Sequence, residues 1–111
     1  MHMHREHQFT LNQMFEQALE YHQSKDYKIA FECFKDATDG GYLVAAYYVG
    51  IYLENGIGVY KNLRLAFRYY LLAADYGNPQ AQYKVGLAYQ HGKGIQSSSK
   101  KALKYFILAA S

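Results

Sequence analysis

A chain of 111 residues is one domain's worth of polypeptide, enough for a modest core and too short for two independent ones. No apolar run approaches the ~20 residues that a membrane helix needs, and Cys33 is the single cysteine, so an internal disulfide is excluded. The net charge of +3 is small, and Lys and Arg are interleaved with acids up to Asp75, so no nucleic-acid partner is expected. Thirteen Tyr with no Trp exceed what a small core needs and point to amphipathic rings at or near a surface.

Residues 1–9 show no periodicity and are expected to form a disordered tail. Met1 to Gln8 lacks the apolar stretch of a secretory signal, which gives a cytoplasmic location by default. His2, His4 and His7 match no closed metal site in their spacing, so no metal is expected. From Thr10, a residue suited to cap a helix, Leu11, Met14, Phe15, Ala18 and Leu19 recur at three-and-four spacing and predict a helix to about Gln23. Ser24-Lys25-Asp26 is a short turn. A second helix carries Tyr27, Ile29, Ala30, Cys33, Phe34 and Ala37, with Cys33 read as a small buried hydrophobe, and closes at Asp39-Gly40-Gly41.

The scheme then repeats with a longer turn. Helices are predicted over about Tyr42 to Glu54, Leu63 to Tyr76, Asn78-Pro79 to Gln90, and Ser99 to Ala110. An offset of 36 superimposes Gly41 on Gly77, Val49-Gly50 on Val85-Gly86, Gly56 and Gly58 on Gly92 and Gly94, and Ala73-Ala74 on Ala109-Ala110. Such a period means stacked supersecondary units and not one globular core. The predicted caps Asp26, Asn62 and Ser98 keep the same step, as do Ala30, Ala66 and Ala102. Gly50 and Gly86, with Ala18 at the matching place, sit inside helices, where glycine costs roughly 1 kcal/mol. Close approach of two helix backbones is the expected reason. Phe34, Tyr70 and Phe106 are expected to fill the space between neighbouring pairs. Three units follow, at about 10–40, 41–76 and 77–111, in a single domain over 10–111.

The pattern Ala45-x-x-x-Val49-Gly50-x-x-Leu53-x-x-Gly56-x-Gly58-Val59, then Ala66-x-x-Tyr69-Tyr70-x-x-Ala73-Ala74-x-x-Gly77, resembles a Sel1-like repeat. It recurs through Ala81, Val85, Gly86, Gly92, Gly94, Ala102, Tyr105, Ala109 and Ala110. Residues 10–40, with a turn four residues shorter, look more like a tetratricopeptide unit. The resemblance implies an all-α fold, a right-handed α-solenoid of three antiparallel helix pairs. First helices would line a concave groove and second helices form the convex back. It also implies a non-catalytic adaptor for a protein or peptide partner, with no cofactor and no catalytic residues. Paired cysteines, which the extracytoplasmic cysteine-rich branch carries in each repeat, are absent, which argues against that branch.

Transferring the tetratricopeptide facing pattern places Phe15, Glu16, Leu19, Tyr47, Tyr48, Ile51, Glu54, Asn55, Tyr83, Lys84, Leu87, Gln90 and His91 on the groove floor. Tyr47 and Tyr83 have the alternative of wedging between helices. Lys35-Asp36 of the first unit becomes Leu71-Leu72 and Ile107-Leu108, where the family usually puts a charge at the second position. These four apolar residues suggest a contact face for another copy or a partner, so the alternative function is a self-associating structural or regulatory module, a homo-oligomer. Gly56-Ile57-Gly58 and Gly92-Lys93-Gly94 lack the strand and longer glycine pattern of a phosphate loop and read as turns. His22 and His91, near the ends of first helices, read as capping or rim residues.

Overall fold

The computed structural model describes residues 10–111, so the expected tail and its three histidines lie outside the described residues. Six helices follow in order: α1 Leu11–Gln23, α2 Tyr27–Asp39, α3 Val44–Asn55, α4 Leu63–Asp75, α5 Pro79–His91 and α6 Ser99–Ala110. Among the described residues there is no strand, and no helix is long and apolar enough to cross a membrane. Each helix packs on its successor in a pair, α1 on α2, α3 on α4 and α5 on α6, and α2 meets α3 while α4 meets α5. The architecture is an all-α solenoid of three stacked hairpins.

Caps explain where most helices begin. Thr10 accepts from the Gln13 N–H at 3.0 Å while Gln13 Oε1 accepts from the Thr10 N–H at 2.9 Å, a reciprocal capping box. Asn62, Asn78 and Ser98 each accept from the N–H three residues on. Asp26 departs from the expectation and makes no side-chain cap. Asn62 and Ser98 have extended backbones, with φ −150° and −158°, whereas Asp26, at φ −85° and ψ 67°, follows the left-handed Lys25 at φ 66°. The shorter first turn leaves it out of capping geometry. The α3 helix starts at Val44 and not at Tyr42, and its N-cap, Leu43, offers no side-chain acceptor.

The interior glycines correct a second expectation. A Cβ on Gly50 would lie 2.6 Å from the Tyr70 ring, and one on Gly86 2.5 Å from the Phe106 ring. What comes nearest each glycine is an aromatic ring of the paired helix and not its backbone. Phe34 and Tyr70 are buried as expected, while Phe106 is half-buried because no described element lies beyond it. Backbones do approach at the turns. Gly58 at φ 65° and Gly94 at φ 78° are left-handed, and a Cβ on either would run into the start of the preceding unit's second helix, at Tyr27-Lys28 and at Leu63-Arg64. The second glycine of each turn is thus where one unit rests on the one before.

Cys33 is half-buried and not enclosed. Burial, with Asp36 and Glu32 nearby, pushes its thiol up, which keeps it protonated.

Candidate functional site: the seam between the second and third units

The two joints between units are built on matching positions but filled differently. At the first, Tyr48 and Tyr52 of α3 lie on α2. The Tyr48 ring stacks on Phe34 with centroids 4.8 Å apart, and Tyr52 meets Tyr27, Phe31 and Phe34. Tyr52 is fully buried. Its hydroxyl lies 2.7 Å from His22 Nδ1, so His22, read from sequence as a rim residue, reaches between the units. Burial pushes the Tyr52 phenol up to about 12, with a smaller push from Tyr27.

Advancing by 36, Tyr48 becomes Lys84 and Tyr52 becomes Ala88. Two rings are withdrawn at these positions, while Tyr89, in the place of Leu53, packs edge-on against Phe67 with centroids 5.3 Å apart. A partly enclosed cavity of about 170 Å³ stands in their place, lined by Leu63, Ala66 and Phe67 on one wall and Leu87, Ala88 and His91 on the other. Glu54, Tyr70, Lys84 and Lys93 close it with polar groups. The Tyr70 hydroxyl donates to Glu54 Oε1 at 2.6 Å, Lys84 Nζ donates to the same oxygen at 3.2 Å, and Lys93 Nζ lies 3.6 Å from Oε2. Lys84 also sits over the Tyr70 ring. Burial alone would push the Glu54 carboxyl up, but Tyr70, Lys84 and Lys93 together outweigh it and hold it below its ordinary value. Burial and the bond to Glu54 push the Tyr70 phenol well above its ordinary range. The carboxylate is therefore ionised at neutral pH and its phenol partner is not.

Of the residues placed on the groove floor, Glu54, Lys84, Leu87 and His91 meet at this cavity. Tyr47, Tyr83 and Lys84 share a second, more open hollow with Pro79, Gln80, Ala109 and Ala110. Tyr47 is half-buried against Tyr48 and Tyr70, whereas Tyr83 is exposed beside Phe106. Phe15 packs against Phe34, Tyr42 and Tyr48 at the first joint. Leu19 and Ile51 are half-buried against the core. Glu16, Asn55 and Gln90 are exposed; the Asn55 amide donates to the Ile51 carbonyl. Leu71 is half-buried, whereas Leu72, Ile107 and Leu108 are exposed.

Sequence reasoning missed Lys93, Ala88 and the polar role of Tyr70. The signal for Lys93 was its place in the Gly-x-Gly turn, where the second unit has Ile57. For Ala88 it was the loss of an aromatic at the place of Tyr52.

A Sel1 repeat model matches residues 14–42, 43–78 and 79–111. Among solved structures, a Sel1 repeat protein from Oxalobacter formigenes is 27% identical with a TM-score of 0.86, over 91% of this chain and 43% of its own. A protective antigen of uropathogenic Escherichia coli with an SLR fold is 33% identical with a TM-score of 0.87, over 91% of this chain and 22% of its own. The chain spans less than half the length of either. Helicobacter pylori cysteine rich protein B, 22% identical with a TM-score of 0.70 over 91% of this chain and 90% of its own, shares the fold. No curated protein sequence matches the chain.

Proposed function

The chain belongs to the Sel1 repeat family, and from that premise we propose that it is a non-catalytic adaptor that holds a peptide or protein segment along its first helices, anchored at the joint between the second and third units. Sel1 repeats are commonly protein–protein interaction modules. The observation that carries the reading is the cavity where Lys84 and Ala88 replace two tyrosines, because close packing that repeats from unit to unit opens where a large residue is withdrawn. Apolar walls with a few converging polar groups are the usual form of a recognition pocket. The flanking floor supplies Tyr83 as rigid contact area and Glu54 with Lys84 as paired charges, suited to a partner with one apolar anchor.

The test is a peptide selected by panning a random library on the immobilised chain, then titrated against variants. Tyr83→Ala with Lys84→Ala should leave the far-UV circular dichroism helical and weaken the peptide by about ten-fold or more, the loss of roughly 1.4 kcal/mol. Unchanged affinity would move the site off the first helices.

A further inference from the structure

The geometry points to the side chain that this cavity takes: we infer that it is built for the phenol ring of a tyrosine on the partner polypeptide, an inference that rests on the groove reading above. Register supplies the argument. The walls Leu63, Ala66, Phe67 and Tyr70 stand 36 residues after Tyr27, Ala30, Phe31 and Phe34, and three of those four, Tyr27, Phe31 and Phe34, hold the Tyr52 ring at the first joint. At the second joint the equivalent walls, with Leu63 in the place of Tyr27 and Tyr70 in the place of Phe34, face Ala88, so the hollow stands in register with the tyrosine that the chain itself supplies one unit earlier. An apolar cavity of about 150 Å³ in an unrelated engineered protein holds benzene. The space here, about 170 Å³, is of the same order.

The hollow has a polar end as well. At the first joint the hydroxyl of Tyr52 meets His22 Nδ1. Glu54 occupies the place of His22, at the end of the next first helix with the turn's four extra residues counted, and it accepts hydrogen bonds from Tyr70 and Lys84. Its Oε1 is taken by Tyr70 and Lys84, but Oε2 has only Lys93 at 3.6 Å, from a side chain that is half exposed. That oxygen is the acceptor available to an entering phenol O–H. Burying a hydroxyl without a partner costs about 1–3 kcal/mol, so a phenol bonded to Glu54 is favoured over one that finds no acceptor. A carboxylate ligand is a poorer occupant. It would sit beside Glu54, with Lys84 already engaged, and like charges at close range oppose each other.

The probes are p-cresol, which is the tyrosine side chain alone, and toluene, which lacks the hydroxyl. Titration followed by NMR should give saturable shifts at Phe67, Leu87 and Ala88, with p-cresol binding several-fold tighter than toluene. Ala88→Tyr should abolish both by filling the space, and Glu54→Gln should narrow the difference between them. Should Ala88→Tyr fail to fold, Ala88→Leu serves the same purpose. Peptides panned on the chain should share a tyrosine, lose about ten-fold or more in affinity when it becomes alanine, and be displaced by p-cresol. No saturable shift, shifts unaltered by filling position 88, or toluene binding as well as p-cresol would each overturn the inference. Panned peptides that bind the first helices without a tyrosine, undisplaced by p-cresol, would overturn it while leaving the groove reading intact. Saturable p-cresol binding with no displacement of those peptides would overturn the assignment to a partner's tyrosine.

Discussion

The first joint between units is a stack of rings with His22 at its edge and the second is a hollow with largely apolar walls closed by polar groups, although the two use equivalent positions of equivalent helices. Phe31, Phe34, Tyr48 and Tyr52 close the first on each other. Phe67 and Tyr70 of the second face Lys84 and Ala88 and leave about 170 Å³ unfilled. Because the helix backbones and the glycine contacts keep step, the difference resides in side chains, with Tyr48 against Lys84 and Tyr52 against Ala88 opening the second joint while Leu53 against Tyr89 and Ile57 against Lys93 add a ring and a cation there. The array holds its architecture through the small residues that repeat and varies its joints at the large residues that do not.

Removing the ring that closes the first joint should have the largest effect. Tyr52→Ala vacates a fully buried site and strands His22, and should cost about 3–5 kcal/mol in urea unfolding. A cost below about 1 kcal/mol would mean that the two joints do not differ in packing as described.

The second joint should respond to charge more than to volume. Glu54→Gln should cost about 1–2 kcal/mol at pH 7, since it removes the acceptor charge shared by Tyr70, Lys84 and Lys93. Its pH dependence carries a definite sign. The folded-state carboxyl titrates below its ordinary value, so the unfolded chain binds more protons as the pH falls. The contribution of Glu54 is then complete above about pH 4.3, the unfolded value, and disappears as the pH drops through the folded one. The difference between wild type and Glu54→Gln in urea midpoints should shrink over that window. A difference that stays constant there would remove the ion cluster from the account.

The smallest contrast lies at the helix starts. Asn62→Ala should cost about 1 kcal/mol in thermal unfolding, because its side chain caps α4, while Asp26→Ala should change stability by less than about 0.5 kcal/mol. Equal costs would mean that Asp26 caps α2 in solution.

Helix order and most caps were legible in the sequence, because a 36-residue period and cap chemistry are both local signals. The partners of Glu54 were not. Cross-unit side-chain bonds join Asn12 to Tyr42, His22 to Tyr52, Glu54 to Lys84 and Asp75 to Tyr105, all 30 apart, whereas self-comparison at 36 finds equivalent residues and not touching ones. The role of Gly50 was misread for a related reason. A mid-helix glycine announces a close approach but not what approaches, and here it is the Tyr70 ring. Lys93 was hidden because it lies in a turn whose glycines account for its conformation without it.

The central claim, that the second joint is the first with a tyrosine withdrawn, is tested most directly by restoring that tyrosine and reading stability and peptide binding from the same protein. Ala88→Tyr should raise the urea unfolding free energy by about 1–2 kcal/mol as the hollow fills and should abolish binding of the panned peptide. A variant that unfolds more easily than wild type and still binds the peptide with unchanged affinity would contradict it.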